Sequence, residues 1–479
     1  MIWETVIGLE THVELATKSK IFCSCSTQFG GAPNTHCCPV CMGMPGTLPV
    51  LNKTVLKYAV KAGLALNCSI TRHTRFDRKN YFYPDLPKAY QVSQLYSPLC
   101  RNGRVDIGSK TIRIHEIHME EDAGKLTHDS ETGLSRADYN RCGVPLIEIV
   151  TEPDFRTADE VISYLEHLKL TLQYLGVSDC KMQEGSLRCD VNLSVRPVDC
   201  ETLGTRTEMK NLGSVKAIAK AIEYESKRQI AVLESGGTVL QETRRWDEEQ
   251  NVSVSMRTKE DAKDYRYFPE PDIPPIDLSE DDLERLRSEQ PELAHEKRVH
   301  YISDWNLPEY DAQMLTGDKA LAAFFEACVA LNAEPKQVSN WILGECLRRL
   351  SSDGLEPKDI PISPAALVRL ITLVKEGKLN RNTAVRVFDA VFASDGDVDA
   401  YVAEHGLEQV SDTGLVQTVV EKVLSANPKS VEDYKAGKEK AFGFLVGQTM
   451  RELKGQASPQ VVNETLRSLL GQQETERCV

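Results

Sequence analysis

The hydrophobic pattern of this chain changes character once, and that change restricts what it can fold into. Up to about residue 293, short alternating runs are broken by Gly, Pro and aromatic residues; from about 294 onward the apolar residues recur mostly at helical spacing. The acidic stretch Asp277 to Arg298, which follows the Pro-rich FPEPDIPP, marks the junction. A strand-containing region followed by a helical one predicts an α+β chain. At roughly 100–200 residues per domain, 479 residues suggest about three domains.

Local signals are sharpest in a few places. After Thr157, with Glu160 completing a capping box, Val161, Tyr164, Leu165, Leu168, Leu172 and Leu175 predict a helix. Ser214 caps a second helix that runs through Ile218, Ala221, Ile222 and Ile230 and stops at Gly236-Gly237. Between them LRCDVNLSVRP alternates as a strand does. In the last third, the Asp- and Gly-rich SDGDVDAYVAEHG reads as a hinge ahead of a final helical set.

Charge excludes one class of function. With 57 Lys+Arg against 71 Asp+Glu the formal net charge is −14, which argues against a generic cationic nucleic-acid coat. Any such role rests on local patches. Between Asn67 and Arg113 nine basic residues face three acids, interleaved with aromatics in FDRKNYFYPDLPKAYQVSQ. Rings with cations between them suit an unstacked RNA end or a nucleotide, and equally a solvated basic face over an aromatic core. No run approaches about 18 apolar residues. MIWETVIGLETHVEL lacks a basic segment followed by an apolar block, so no signal or transit peptide is expected and the cytoplasm is the expected location.

Five strings carry the residues of chemical interest. In VIGLETHVEL, strand alternation puts Glu10, His12 and Glu14 on one face, a set that suits a divalent ion; any half-buried strand with a polar outer face shows the same pattern. In HMEEDAGK, successive acids require a counterion if folded together, or form a solvated turn. In SLRCDVNLSVR, one strand face presents Arg188, Asp190, Asn192 and Ser194: a guanidinium for phosphate, a carboxylate for metal and an amide for orientation. TRTEMKNLGS adds Arg206, Glu208, Lys210 and Asn211, and QETRRWDE adds Arg244 and Arg245. There is no P-loop and no convincing G-x-G-x-x-G, so phosphates would be held by side chains and metal.

Five of the 14 cysteines fall between Cys23 and Cys41. In a reducing compartment such a cluster means metal more often than bridges. C-x-C, twelve residues, then C-P-x-C supplies four thiolates, Cys23, Cys25, Cys38 and Cys41, for a closed structural Zn²⁺ site, with Cys37 spare and His36 a weaker competitor. Reduced, unligated thiols are the alternative.

Taken together, VIGLETHVEL, FDRKNYFYPDLPKAYQ, HMEEDAGKLTHD, NRCGVPLIEIVTEPDF, KMQEGSLRCDVNLSVRP, DYRYFPEPD and EDYKAGKEKAFGFLVGQTM resemble the GatB family, the B subunits of the aspartyl/glutamyl-tRNA amidotransferases, over essentially the whole chain. The resemblance implies an antiparallel-sheet cradle with helices at 1–293, a helical domain at 294–403 and a small helical tail at 404–479 that contacts tRNA. It implies ATP- and Mg²⁺-dependent phosphorylation of the side-chain carboxylate of Glu-tRNA(Gln), in many organisms also Asp-tRNA(Asn), followed by displacement of phosphate by ammonia. An amidase subunit would supply the ammonia from glutamine and a small third subunit would wrap both; this chain shows no Ser-Ser-Lys amidase signature of its own.

By the same resemblance Glu10, His12 and one of Glu120 and Glu121 fall to the metal, and Asp190 joins it or orients its water. Arg188, Lys210 and Arg245 fall to phosphate. Arg78, Lys79, Tyr83, Lys88, Asn192, Ser194, Glu208 and Arg244 complete the substrate- and nucleotide-binding set, and Lys435, Lys438, Lys440 and Lys454 the tRNA contacts. Many relatives carry the two cysteine pairs and others lack them, so zinc would shape the fold and is not required by the reaction.

Overall fold

The computed structural model describes residues 2–129, 131–258, 264–408, 413–453 and 459–475. It divides into two units, Met1–Ala294 and His295–Val479. The first is built on a nine-stranded sheet. Its strands, in chain order, are Trp3–Glu14 (β1), Ser69–Ile70 (β2), Cys100–Asp106 (β3), Thr111–Glu121 (β4), Pro145–Thr151 (β5), Leu187–Pro197 (β6), Thr207–Lys210 (β7), Glu242–Asp247 (β8) and Val252–Thr258 (β9). They lie in the order β9-β8-β7-β6-β1-β5-β4-β3-β2, antiparallel at every seam except β7 with β8. The cradle is thus antiparallel as expected, with one parallel seam.

The sheet has two unlike faces because side chains alternate along each strand. From β1 and β6, Ile7, Leu9, Val13, Val191, Leu193 and Val195 are buried on one face. Helix α1 (Lys53–Ala65) packs against β3 and β4, and α3 (Val215–Glu234) against β6 and β9, with α2 (Ala158–Leu175) between the two helices. Each fully buried aliphatic or Phe side chain in this layer contributes about 1.5–3 kcal/mol. The other face of β1, β5, β4, β6 and β7 is polar and carries the site.

The helix starts follow the expected caps, with one difference. Thr157 Oγ1 accepts from Glu160 N and Ser214 Oγ from Ala217 N. Glu160 does not close the box on Thr157: its Oε2 accepts from Arg156 N at 2.7 Å while its Oε1 pairs with Lys110 at 2.8 Å, which draws the carboxylate one residue further back.

The second unit is helical. Tyr301, Leu315, Phe325, Trp341, Leu370 and Phe388 belong to one buried cluster; Val416, Val420, Leu445, Val462 and Leu466 belong to another. The Asp- and Gly-rich stretch read as a hinge contains a helix, Val398–Glu404, capped by Asp397, whose Val398 and Val402 are buried in the first cluster. Two buried valines four residues apart hold that segment in the core, which corrects the hinge assignment. No described helix is long and apolar enough to cross a membrane.

Candidate active site

Register explains how scattered polar residues meet. His12 on β1 lies opposite Arg188 on β6 and opposite Glu148 on β5, and Glu148 lies opposite His118 on β4. One row across four strands therefore reads His118, Glu148, His12, Arg188. In the next row Glu10 lies opposite Asp190, and in the one after, Asn192 lies opposite Glu208 on β7. Directly opposed residues on one sheet face sit about 4.5–5.5 Å apart at Cβ, close enough for these side chains to touch.

Two groups of candidate ligands result. His12, Glu120 and Glu148 offer one ligand atom each within 4.8 Å of one another, as do Glu10, Asp190 and Glu208. In the first, His12 Nε2 is 3.4 Å from Glu148 and 3.8 Å from Glu120, and His118 Nε2 is 3.0 Å from Glu148 and 3.7 Å from Glu120. In the second, Asn192 Nδ2 donates to Glu10 at 2.8 Å, and the Lys210 ammonium lies between Asp190 and Glu208, 2.9 Å from the latter.

The ionisable groups of this face shift one another strongly. Burial, then the charge of Glu148, raises the Glu10 carboxyl above its ordinary range against a hydrogen bond from Asn192. Burial alone would lower both imidazoles. For His118 the Glu148 charge and bonds to Glu120 and Glu148 prevail and raise it to about 10; His12 is raised by the same two carboxylates. Burial and Asp122 push Glu14 up to about 8 against Arg188 and Arg141. Glu10 and Glu14, raised in this way, favour protons or metal, whereas burial alone would raise Glu148 but the charge of His118 and bonds from both imidazoles hold it well below its ordinary value. The all-carboxylate group suits Mg²⁺, and the group with an imidazole suits a divalent ion that tolerates nitrogen.

The structure sorts the candidates by strand parity. Glu120 joins the His12 group, whereas Glu121, its neighbour on β4, points to the other face, buried, and pairs with Lys88 while accepting from Val92 N at 2.9 Å. Arg188 donates to Asp122 at 2.6 Å, and Arg245 stays half-exposed next to Lys210 in register, 3.9 Å from Asp247. Arg244 turns away: its Nε donates to Ser253 at 2.8 Å and lies 3.4 Å from buried Glu225 of α3, on the helix-covered face. A guanidinium enclosed there cannot reach phosphate, which corrects that assignment. Ser194 is on the site-face parity but is buried.

The cationic-aromatic strip borders the metal groups. Arg78 is bound by Glu270 through Nε at 2.6 Å and Nη2 at 2.9 Å, with Asp272 also at 2.9 Å, so most of its fork is occupied. Lys79 lies 5.0 Å over the Tyr265 ring, and Tyr83 is largely exposed. Burial, then the negative charge of Glu120 and Glu148, raises the Tyr267 hydroxyl. Lys438 pairs with Asp433 at 2.9 Å, Lys435 and Lys440 lie at the two ends of the same turn, and Lys454 lies outside the described residues.

Apart from this face, the sulfur atoms of Cys23, Cys25, Cys38 and Cys41 also lie within 4.8 Å of one another. Zinc with Zn–S bonds near 2.3 Å would bring its sulfurs to roughly 3.8 Å, so the four fit the ion with a small contraction. Cys37 turns instead toward Asn140. A hydrogen bond from Cys23, the Cys38 N–H and the Lys20 ammonium hold the Cys41 thiol below its ordinary value in spite of burial.

Sequence reasoning missed Glu148 and His118. Glu148 is the only charged residue in the otherwise apolar PLIEIV, a signal of one face needing a carboxylate; His118 stood beside the acids of HMEED, which drew attention first.

Residues 5–284 match the family described as the GatB/GatE catalytic domain, and residues 323–470 match the GatB domain. Three relatives are named as the B subunit of the aspartyl/glutamyl-tRNA(Asn/Gln) amidotransferase. That of Lachnoclostridium phytofermentans is 60% identical over 473 residues, 98% of this chain and 99% of the relative. That of Caldicellulosiruptor saccharolyticus is 58% identical over 477 residues, with the same shares. The protein of Thermoanaerobacter pseudethanolicus is 55% identical over 474 residues, 98% of this chain and all of the relative. A sheet face rich in carboxylates and imidazoles, on an α+β scaffold, thus falls within a family of amidotransferase subunits. This chain belongs to that GatB family.

Proposed function

We propose that this chain is the subunit of a tRNA-dependent amidotransferase that activates the side-chain carboxylate of Glu-tRNA(Gln), and that of Asp-tRNA(Asn) where this is present, with ATP and transfers ammonia to it. The single observation that carries the reading is the pairing of two cation groups on one sheet face, His12/Glu120/Glu148 and Glu10/Asp190/Glu208, in a chain of this family. A carboxylate resists ammonia because its leaving group would be oxide; an acyl phosphate supplies a better one. Phosphoryl transfer asks chiefly for positioning and positive charge on oxygen.

The chain's own residues fit those tasks. Glu10, Asp190 and Glu208, with His12, Glu120 and Glu148, would hold Mg²⁺, which when bound neutralises phosphate oxygens. Lys210 is set among the carboxylates of one group to exchange them for a phosphate, and Arg245 beside it is the exposed cation of the same strand pair. Asn192 holds Glu10 in place. Lys79 and the rings of Tyr81 and Tyr265 would take the terminal adenosine of the aminoacylated end by stacking. The four cysteines would hold Zn²⁺ as a structural ion. The tail at 404–479, through Lys435, Lys438, Lys440 and Lys454, would meet the tRNA body, beyond the catalytic region at 1–293 and the helices at 294–403.

The ammonia would come from an amidase subunit, with a small third subunit to complete a cytoplasmic heterotrimer. Mixing the chain with those partners, ATP, Mg²⁺, glutamine and Glu-tRNA(Gln) should yield Gln-tRNA(Gln). No product with partners proven competent would overturn the reading.

A further inference from the structure

Lys20 is fully buried, 0% exposed, in a chain whose other described lysines reach solvent at least in part. Its Nζ has two polar neighbours: Cys41 Sγ at 3.7 Å and the Tyr139 carbonyl at 3.4 Å. Among the described residues no carboxylate lies within 4.0 Å of it. Glu121, on the wall of the same small cavity of about 80 Å³, is engaged by Lys88. A buried ammonium without an anion is costly enough that such groups normally acquire a partner or lose the proton.

The opposite imbalance lies beside it. Four thiolates around a divalent ion carry two net negative charges, and this group is set in loops that partly exclude water. The backbone ties the two together: Lys20 N donates to Cys25 O at 3.0 Å, and Ile21 N to Gly143 O at 3.0 Å, so the lysine is held at the base of the first cysteine turn. Cys41 Sγ also accepts from Cys38 N at 3.2 Å.

We propose that Lys20 is the charge-balancing partner of the four-cysteine site, its ammonium donating to the Cys41 thiolate and setting how tightly the site holds its metal. The proposal rests on the reading of the four cysteines as a metal site. Lys20 is a positioning residue: it touches no reacting atom and acts through Cys41.

The test uses the full chain and zinc itself. Metal content of the wild type is measured first, with Cys38→Ser as its control, and affinity is then read by competition with a chromophoric chelator. Lys20→Met should still bind one zinc at saturation but with affinity lowered roughly 10–100-fold, the range seen when outer partners of metal ligands are removed. Lys20→Arg, which keeps the charge, should stay within a few-fold of wild type. The zinc-stripped Lys20→Met protein should melt no lower than the stripped wild type, because a lysine with a merely structural role would destabilise both forms alike. Should Lys20→Met not fold, Lys20→Gln, polar but uncharged, provides the same comparison. Unchanged zinc affinity in the folded neutral variant overturns the role of Lys20 while leaving the site standing. A wild type without stoichiometric zinc, indifferent to Cys38→Ser, overturns the four-thiolate reading and this proposal with it.

Discussion

Two buried polar clusters sit on opposite faces of the same sheet, and they differ in how far the protein satisfies its own charges. On the helix-covered face Glu225 is fully buried and its two oxygens accept from Arg228 at 2.9 and 2.6 Å, from Gln229 at 3.0 Å, from Thr207 at 3.1 Å and from Ser253 at 2.8 Å. Arg244 stands 3.4 Å away. The donors that this carboxylate needs all come from within the chain. On the open face Glu120 and Glu148 lie against two imidazoles and Glu10 lies with Asp190 and Glu208, and Glu10 and both imidazoles hold their protons above the ordinary range. A closed polar network reads as architecture, while a face of crowded ionisable groups that shift one another's protons reads as a place for something the chain does not itself supply.

The largest difference between the faces should appear in activity. Glu10→Ala, His12→Ala or Glu148→Ala should each lower ATP-dependent amidation on the order of 10³-fold, about 4 kcal/mol, measured with Glu-tRNA(Gln) and the complete set of subunits. The thermal midpoint of Glu10→Ala should stay level or rise, since removing a carboxylate that burial and Glu148 already disfavour in its charged form relieves repulsion. A matching fall in midpoint would show that the open face is architecture too.

Glu225→Ala should do the reverse. It leaves Arg228 and Arg244 with Glu242 as their remaining anion and strips the buried donors of their acceptor, and should cost about 3 kcal/mol of stability, read by denaturant unfolding of the first unit's transition. Any surviving folded fraction should amidate normally. Next in size is the effect of ligand: millimolar Mg²⁺ at 100 times its dissociation constant should stabilise the wild type by about 2.7 kcal/mol, and Asp190→Ala should abolish that gain while Glu225→Gln keeps it.

Adjacent arginines carry the same contrast on a smaller scale. Arg244→Met should lower stability by roughly 1–3 kcal/mol with little change in the KM for ATP, and Arg245→Met should raise that KM with little change in stability. Swapped outcomes would reverse the facial assignment of β8. The smallest effect is in acid. Burial alone would raise the Glu225 carboxyl, but hydrogen bonds from Arg228 and Gln229 and the Arg228 charge lower it below the ordinary value near 4.5. Its contribution is therefore complete above that ordinary value and is lost as the pH falls through the lower, folded-state value. The midpoint of wild type should fall with acid in that window more steeply than that of Glu225→Gln.

Much of this was legible in the residues. VIGLETHVEL and LRCDVNLSVRP alternate so cleanly that both strands and their polar faces could be read without coordinates, and they prove to be neighbours in the sheet. Two kinds of information were not local. Glu120 and Glu121, like Arg244 and Arg245, are consecutive, so a strand must send one to each face; which goes where depends on pairing with β5 or β7, and at Thr243/Arg244 a register shift intervenes. Glu148 escaped because its strand looks like an ordinary buried run, and only the row across β4, β5 and β1 reveals that His12 and His118 flank it.

The single parallel seam has a consequence for assembly. Antiparallel neighbours can be joined by a tight turn, but β7 and β8 run the same way, so the chain must travel back the full length of the strand before β8 can begin. Helix α3 is that return path, and it brings Glu225 with it. Lys210 and Arg245 are therefore neighbours through a crossover that α3 makes across the other face, so the cationic end of the working face is anchored from behind.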